Sequence, residues 1–271
     1  MARRRGRAWE HVRVSWSASA DSARPFYGSF GWAYDLVVAA PEGPWVAAAC
    51  ADLQSVGIGP GARLLDAGCG TGRYAAALGA RGYSVDLVDA SAELLSQAAD
   101  RLPRANARVA DLRELELGRH YDAIVCRGVL NDMISDVERQ AVLNSFASHL
   151  RSGGAIVLDV RDRDVSERRY GDNYRIEKLV DTPRGTLAFT ADGKFEHGLI
   201  YTHEEHELRT GTEPPRLTSY DFTMRPWTRE ELDEHLWLAG FRVQTITELN
   251  DRGSNDRLLC LTILDRTPVP Q

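Results

Sequence analysis

The sequence predicts an α/β fold with an open, mostly parallel sheet, and three observations lead to it. An apolar run that ends at Asp66 is followed by alternate glycines, a helical segment and a second apolar run that ends at Asp89. Short apolar runs then alternate with helical patterns through residues 41–163, and the same pattern returns at residues 226–271. A strand, a glycine turn, a helix and a second strand form the first half of a nucleotide-binding βαβ unit.

The glycine turn after Asp66 has the pattern D-x-G-x-G-x-G, in which Gly68 and Gly70 are the first two glycines. Glycine suits a turn that bends sharply or approaches a ligand, because it has no Cβ. The dinucleotide pattern G-x-G-x-x-G needs glycine at position 73, which is Arg73, and Asp66 would repel a pyrophosphate. An NAD-linked oxidoreductase is therefore disfavoured, and a ligand with an amino group is favoured. Asp89 is placed to accept hydrogen bonds from ribose hydroxyls.

Composition indicates one soluble globular domain with an insertion. The chain has 271 residues, of which 43% are hydrophobic and 27% charged, and its net charge is −6. This acidic balance argues against general binding to nucleic acid or membranes, and no apolar run approaches the length that spans a bilayer. No apolar segment of a secretory signal follows the basic N-terminus. The four cysteines are scattered without metal-ligand spacing, so we expect a cytoplasmic protein without a metal site.

Local signals place the elements of the first half in order. Pro44 and Gly57 predict the start and the stop of a helix. Ser91 is an N-cap candidate for the helix that follows the second strand. Residues 108–110 predict a short buried strand, and residues 121–126 predict the fourth strand. This order is typical of a sheet with helices between its parallel strands.

The second half contains an insertion. Ser135 and Thr228 each precede a glutamate by three residues, which is the capping-box signature of a helix start. The fifth strand is expected within residues 150–162. The polar residues 164–225 carry short alternating runs, and the pair at positions 192–193, Asp-Gly, is a hairpin signal. We interpret this stretch as an antiparallel cap over the carboxyl edge of the sheet.

The segments LLDAGCGTG and VDLVDAS resemble the first two motifs of class I methyltransferases that depend on S-adenosylmethionine (SAM). The resemblance implies an α/β, Rossmann-like, seven-stranded and mostly parallel sheet with a terminal antiparallel hairpin, here residues 241–246 and 257–263, and an antiparallel β insertion after strand five. It divides the chain into an N-terminal tail and aromatic lid segment (1–40), a SAM-binding core (41–163 and 226–271) and an inserted substrate cap (164–225).

The same resemblance implies a site for SAM and for its product, S-adenosylhomocysteine (SAH). Asp66 and the glycine turn would hold the methionine part, Asp89 the ribose, and an acid after the third strand the adenine. The cofactor-binding residues that it implies are Asp66, Gly68, Gly70, Asp89, Ala90, Asp111, Leu112 and Arg127.

Aromatic residues crowd the segment before the core, and in many small-molecule methyltransferases a similar segment covers the active site. Tyr34 is the best-placed member of this segment, and a packed N-terminal layer is the plainer interpretation. Residues 1–24 predict a polar tail whose deletion leaves turnover nearly intact. The acceptor-binding residues that we predict are Tyr27, Trp32, Asn131, Arg161 and Tyr220.

Catalytic roles are weakly constrained by sequence, because alignment and exclusion of water supply much of the acceleration in methyl transfer. A base is needed only when the acceptor arrives protonated. The candidates are His203, Asp132 and Tyr34. His203 and His206 lie three residues apart among carboxylates, but strand residues at this spacing face opposite ways, so no metal site is expected.

The expected function is methyl transfer from SAM to a nitrogen or an activated aromatic carbon of a small natural-product or amino-acid-derived acceptor. The segment after strand four and the cap most resemble bacterial small-molecule enzymes. The Asn/Asp-Pro-Pro-aromatic segment that nucleic-acid amino methyltransferases use is absent there, so we expect no nucleic-acid partner and no membrane partner. O-methyl transfer and a SAM- or nucleotide-binding module without catalysis are the alternatives. The sequence leaves the acceptor and a homodimer open.

Overall fold

A central mixed sheet with helices on both faces, together with a second antiparallel sheet, makes up the fold. These elements are seen in a computed structural model that describes residues 24–38, 41–171, 174–211, 213–249 and 256–265. The strands are β1 (Arg63–Ala67), β2 (Ser84–Asp89), β3 (Ala107–Val109), β4 (Tyr121–Arg127), β5 (Leu150–Arg161), β6 (Tyr174–Thr182), β7 (Gly185–Glu196), β8 (Leu199–Arg209), β9 (Arg216–Met224), β10 (Phe241–Leu249) and β11 (Arg257–Leu264). The helices are α1 (Tyr34–Val37), α2 (Gly43–Ser55), α3 (Arg73–Gly79), α4 (Ala92–Arg101), α5 (Asp136–Ser148), α6 (Arg163–Tyr170) and α7 (Arg229–Leu238).

The central sheet has seven strands in the order β10-β11-β5-β4-β1-β2-β3. Strands β3, β2, β1, β4 and β5 run parallel, whereas β11 is antiparallel to both β5 and β10. The predicted seven-stranded sheet with a terminal antiparallel hairpin is therefore confirmed. The strand order reverses between β1 and β4, and ligands of open α/β sheets bind at the carboxyl ends of the strands at such a point.

Strand side chains alternate between two cores, one on each face of this sheet. Leu65 lies in the core that α5 and α7 cover, and its neighbour Leu64 lies in the core that α2, α3 and α4 cover. Burial on both faces explains why these strands are continuous apolar runs rather than alternating patterns. The third strand was expected to be buried, but residues 107–109 are exposed, because β3 is the edge of the sheet.

The cap is a four-stranded antiparallel sheet in the order β6-β7-β8-β9 that follows α6 and precedes α7. The predicted hairpin turn at positions 192–193 is wrong, because both residues pair within β7, and the turns lie at residues 183–184 and 197–198. Glycine is needed at position 193 for another reason. A Cβ on Gly193 would lie 2.7 Å from Cδ1 of Tyr170, so the ring of Tyr170 packs directly on the strand.

The aromatic segment before the core, residues 24–38, packs against this cap. Its buried side chains and those of the facing strands form one cluster, whose buried members are Phe26, Phe30, Ala33, Val37, Leu187, Phe189, Ala191 and Leu208. Residues 1–23 of the predicted tail lie outside the described residues. The aromatic segment is therefore held against the inserted sheet by a shared hydrophobic cluster.

Three predicted helix starts are confirmed. Both capping boxes form, with Ser135 opening α5 and Thr228 opening α7. The side chain of Ser91 accepts a hydrogen bond from the main-chain N–H of Leu94 and so opens α4. These polar contacts satisfy main-chain donors that a helix leaves unpaired at its first turn.

Arg139 on α5 holds the segment through which the cap returns to the core. Its guanidinium is fully buried 3.7 Å from the ring centroid of Trp227. It donates hydrogen bonds to the carbonyls of Met133, Arg225 and Pro226 at 2.7–3.1 Å. Burial lowers the pKa of Arg139 to about 9, so these bonds hold a charge that is costly to bury.

We predict that Arg139→Met lowers the free energy of unfolding by about 3 kcal/mol or more. The substitution leaves three main-chain carbonyls without their donor, and each such loss costs about 1–3 kcal/mol in a buried site. Urea unfolding followed by circular dichroism measures the change. Arg151→Met is the matched control, because Arg151 pairs with Asp122 at an exposed site where an ion pair contributes about 0–1 kcal/mol. Equal effects of the two variants would contradict the assignment.

Candidate functional site

A cavity of about 850 Å3 lies where the carboxyl ends of β1, β2 and β4 meet the cap and the aromatic segment. This volume is in the upper part of the range of about 300–1,000 Å3 that is usual for small-molecule sites. All eight predicted cofactor-binding residues line the cavity. The fold therefore brings together residues that are spread over 62 positions of the sequence, from 66 to 127.

The glycine turn after β1 forms the floor of the cavity. Gly68 has φ 77°, and a Cβ there would lie 2.3 Å from Cγ2 of Val129. Gly70 also has a positive φ, 54°, but a Cβ there would point into open space. The first glycine is thus required by packing as well as by conformation, whereas the second keeps the cavity side of the turn clear.

Asp89 at the end of β2 ties the two neighbouring loops together. Its carboxylate accepts hydrogen bonds from the main-chain N–H of Gly70 at 2.7 Å and of Ser91 at 2.8 Å. Burial raises the pKa of Asp89, and these hydrogen bonds oppose the rise. A carboxylate has about four lone-pair sites, so Asp89 keeps capacity for hydroxyl donors from the cavity.

Asp66 at the end of β1 is buried with an unsatisfied oxygen. Its Oδ2 atom has no hydrogen-bond partner among the described residues. Burial, followed by the charge of Asp89, raises the pKa of Asp66 to about 7, and Arg127 opposes this rise. A buried carboxylate of this kind gains most from a cationic ligand, because such a ligand supplies both a hydrogen bond and the opposite charge.

The remaining predicted cofactor-binding residues also line the cavity. Asp111 accepts hydrogen bonds from Arg113, which lower the pKa of the Asp111 carboxyl, and the neighbouring Leu112 is buried. The guanidinium carbon of Arg127 lies 4.3 Å from the ring centroid of Tyr74. Ala90 lines the cavity as well.

Two of the three predicted lid residues face the cavity. Tyr27 and Tyr34 line it, with their ring centroids 6.4 Å apart. Trp32 does not line it, which corrects the prediction that Trp32 contacts the acceptor. Its ring lies instead under the guanidinium of Arg184, 4.6 Å from the centroid, because successive residues of the short helical turn at Gly31–Ala33 point in different directions.

Hydrogen bonds also join the aromatic segment to the part of the cavity that the predicted cofactor-binding residues line. Ser91 donates from its hydroxyl to the carbonyl of Tyr27 at 2.5 Å. Asp35 accepts from the hydroxyl of Thr71 at 2.8 Å and from Arg101 at 2.5 Å. The segment therefore contacts the glycine turn, the loop after β2 and the cap at once.

Asp132 faces the cavity from the turn after β4. Charges of Arg24, Arg161 and Arg257 act on its carboxylate, and all three arginines line the same cavity. Burial raises the pKa of Asp132 to about 6; Arg24, Arg161 and Arg257 oppose the rise, and Glu204 adds to it. The described part of the cavity thus contains an ionisable carboxylate that is poised close to neutral pH.

Asn131 and His203 do not reach the cavity, which corrects two predictions. Asn131 is buried, and its amide is used internally, accepting from the N–H of Arg161 at 2.7 Å and donating to the carbonyl of Gly128. His203 lies on the opposite face of β8, where Nδ1 is 2.6 Å from Oδ1 of Asp221. Strand side chains alternate, so when the residues on either side of His203 face the cavity, His203 must face away.

The last two predicted acceptor residues differ in their relation to the cavity, because Arg161 lines it and Tyr220 does not. Arg161 lines the cavity and pairs with Asp256. Tyr220 stands beside it, with its ring stacked at 6.3 Å on Phe222, which does line the cavity. The acceptor roles of both residues stay predictions.

Three charged residues at this site were missed by sequence reasoning. Arg24 was assigned to the tail, but it lines the cavity and forms a bidentate pair with Glu204. A deletion through position 24 would remove this contact, which argues against the expectation that the deletion leaves turnover intact. The alternation along β8 could have revealed Glu204. Asp159 is fully buried in β5 between Arg127 and Arg257, and no local pattern distinguishes it.

The fold and the site define a class. A doubly wound sheet with an acid before a glycine turn, a second acid after β2 and a covered cavity at the carboxyl edge is the arrangement of Rossmann-like enzymes that bind a nucleoside cofactor. Residues 64–154, about a third of the chain, match the methyltransferase domain family. The predicted resemblance to methyltransferases is therefore confirmed over this segment.

Curated relatives match parts of the chain. A dTDP-3-amino-3,6-dideoxy-alpha-D-glucopyranose N,N-dimethyltransferase of Streptomyces fradiae is 32% identical over 36% of this chain and 39% of its own length. The cypemycin N-terminal methyltransferase of a Streptomyces species is 36% identical over 49% of this chain and 56% of its own length. The chain thus spans about half, or less, of the length of these relatives.

Solved structures match most of the chain at the level of fold. The sugar N-methyltransferase KedS8 from Streptoalloteichus has a TM-score of 0.75 at 21% identity, covering 95% of this chain and all of that one. The SAM-bound amino pentose methyltransferase CalS10 from Micromonospora echinaspora has a TM-score of 0.68 at 22% identity, covering 94% of this chain and all of that one. The predicted Rossmann-like methyltransferase fold with its insertion is confirmed.

We predict that Asp66→Asn raises the free energy of unfolding at pH 8, and raises it less at pH 5. The pKa of about 7 in the folded protein lies above the unfolded value of about 3.9, so the wild type loses stability from this group as pH rises between these values. At about 1.4 kcal/mol per pKa unit, the gain at pH 8 is roughly 2–4 kcal/mol. Urea unfolding at the two pH values measures it.

Asp86→Asn is the matched control for this prediction. Although burial opposes it, hydrogen bonds from Asn106 and Arg119 lower the pKa of Asp86, so its charge stabilises the fold above the unfolded pKa. This variant is expected to lose stability at both pH values. Destabilisation of Asp66→Asn at pH 8 would show that the folded protein favours the charged form of Asp66.

Proposed function

We propose that the protein is a SAM-dependent methyltransferase that methylates an amine nitrogen of a small molecule. One observation carries the choice of nitrogen: the cavity presents the carboxylate of Asp132, whose pKa burial raises to about 6 although arginines stand near it. An aliphatic amine arrives as an ammonium ion at neutral pH. It therefore needs both an anionic partner and a group that accepts its proton.

The cofactor half of the cavity fits SAM. The unpartnered Oδ2 of Asp66 suits the ammonium group of the methionine part, Asp89 suits the ribose hydroxyls, and Asp111 with Leu112 suits the adenine. When bound, SAM supplies a sulfonium-linked methyl group that is open to in-line attack. The SAM-bound structure among the similar folds supports this assignment.

Asp132 would act on the acceptor in two ways. Its charge attracts the ammonium group and holds it on the acceptor side of the cavity. Its pKa of about 6 leaves it mostly ionised at pH 7, so it can take the proton that the amine must lose before its lone pair is available. A hydroxyl acceptor could also give its proton to this carboxylate, but neither it nor an aromatic carbon carries a positive charge for Asp132 to hold, so those alternatives are less well supported.

Tyr27 and Tyr34 would exclude water and orient the acceptor. Both tyrosines line the cavity, and the contacts of Ser91, Thr71 and Arg101 hold their segment over the glycine turn. Aromatic walls also favour a cation by about 0.5–2 kcal/mol. Alignment and dehydration are the terms that methyl transfer needs most.

The names of the relatives support an amine acceptor. Curated relatives include N-methyltransferases of amino sugars, of glycine and sarcosine, and of a peptide N-terminus. A ubiquinone biosynthesis O-methyltransferase also matches, at 28% identity. We propose an amine-bearing small molecule of bacterial secondary metabolism, including antibiotic biosynthesis, as the acceptor. SAH binding without turnover on any acceptor would instead favour the non-catalytic module.

The location and the partners stay predictions in part. Among the described helices, none combines the length and the apolar character that crossing a membrane requires. We propose a cytoplasmic enzyme that acts on a small acceptor without a nucleic-acid partner. Assembly as a homodimer remains a prediction for measurement in solution.

Incubation with methyl-labelled SAM and a matched acceptor panel tests this function. We expect label transfer to amino sugars or amino acids, and none to analogues in which a hydroxyl replaces the amine. Asp132→Asn should lower turnover by about 100-fold or more, in the range of 10²–10⁴ that is usual for loss of a general base. The same variant should bind SAH nearly as well as the wild type does. Transfer to the hydroxyl analogues alone would overturn the choice of nitrogen.

Tyr34→Ala is predicted to lower turnover by roughly tenfold, while its SAH affinity falls less, because the ring lines the cavity and helps exclude water. Trp32→Ala is the control, since Trp32 belongs to the same segment but lies outside the lining of the cavity. Steady-state kinetics and calorimetry with SAH measure the two effects. Full activity of a folded Tyr34→Ala variant would reduce the segment to core packing.

A further inference from the structure

The aromatic segment and the cap are joined at the cavity wall by a buried ion pair. Nε and Nη2 of Arg24 lie 3.1 and 2.6 Å from the two carboxylate oxygens of Glu204 on β8. The same guanidinium donates to the hydroxyl of Tyr27 at 2.9 Å and stands 4.0 Å from the ring centroid of Phe222. The side chains of the pair are 14% and 4% exposed, so solvent screens this interaction weakly.

We propose that Arg24 and Glu204 are positioning residues that set the charge of the acceptor site: because they neutralise each other, Asp132 is left as the carboxylate that receives the acceptor's ammonium group. This inference rests on the proposed function and adds to it a device for selecting cationic amines. It also gives the aromatic segment an electrostatic role in addition to excluding water.

The charged groups around Asp132 come from four parts of the chain. Arg24 belongs to the aromatic segment, Glu204 to the cap, Arg161 to β5 and Arg257 to β11, and all four act on the Asp132 carboxyl. Arg161 and Arg257 are themselves within 3.2 Å of acidic groups, Asp256 and Asp159 respectively. The hydroxyl groups of Tyr27 and Tyr220 also interact electrostatically with the Asp132 carboxylate.

Removing either member of the pair changes the charge beside Asp132 in opposite directions. Without Arg24, the charge of Glu204 stands alone and disfavours a second negative charge, so the pKa of Asp132 rises. Without Glu204, the charge of Arg24 stands alone and lowers that pKa. Without both, the two changes oppose each other, although Arg24 acts more strongly on Asp132 than Glu204 does. A contact that only holds the aromatic segment in place would not shift the pKa of Asp132 in opposite directions in the two single variants.

The test is a titration of Asp132 by carbon NMR on protein labelled at its aspartate carboxyls, with the Asp132 signal assigned by Asp132→Asn. We expect Arg24→Met to raise the midpoint by about half a unit or more and Glu204→Gln to lower it by a smaller amount. The midpoint of the double variant should lie between those of the two single variants. Arg24→Lys keeps the charge and should also stay close, even if its affinity for the acceptor changes.

Arg184→Met is the matched control, since Arg184 also joins the cap to the aromatic segment, over the ring of Trp32, but does not line the cavity. It should leave the Asp132 midpoint unchanged. Circular dichroism confirms that each variant is folded, and Glu204→Gln, which preserves side-chain shape, decides the sign if Arg24→Met does not fold. In active enzyme, the acidic limb of the kcat/KM profile should move with the NMR midpoint.

Midpoints that stay fixed, or that move the same way in both single variants, would overturn the inference. This readout does not depend on turnover. If the midpoints move in opposite directions but no amine is methylated, the charge relation between the pair and Asp132 stands and the proposed function fails. If amines are methylated but the midpoints stay fixed, the proposed function stands and the role of the pair fails.

Discussion

The structure of the site depends on one carboxylate, that of Asp89, which bonds the glycine turn to the loop after β2. Two main-chain N–H groups, those of Gly70 and Ser91, converge on it. Ser91 in turn opens α4 and donates to the carbonyl of Tyr27, so the same contact also holds the aromatic segment. Because burial makes this carboxylate costly unless it is bonded, the loops, the helix start and the aromatic segment stabilise one another.

Charge is arranged differently in the two halves of the cavity. The cofactor half contains Asp66, which is buried and has an unsatisfied oxygen, and this arrangement suits a cationic group that binds in a fixed place. The acceptor half contains Asp132, which faces the cavity and titrates near pH 6. Under the proposed function, the cationic groups of the cofactor and of the acceptor would therefore contact different carboxylates.

The errors of sequence reasoning share a cause. His203 and Trp32 have chemistry that suits an active site, but the direction of a side chain depends on which face of its element is covered. Asn131 follows β4, as predicted, but its side-chain amide forms hydrogen bonds with main-chain groups around it. Arg24 lies in a stretch without local pattern, and only its distant partner Glu204, 180 positions away, gives it a role.

The sequence by itself determined the parts of the molecule that local physics controls. The glycine turn, the acids at the ends of β1 and β2 and the capping boxes are short-range patterns, and they predicted the seven-stranded fold and the cofactor half of the cavity. Only the tertiary structure decided the proposed acceptor half, because the inserted sheet and the aromatic segment meet there although they are far apart in sequence. The pairing of Arg24 with Glu204 beside Asp132 follows from that packing, and no local pattern encodes it.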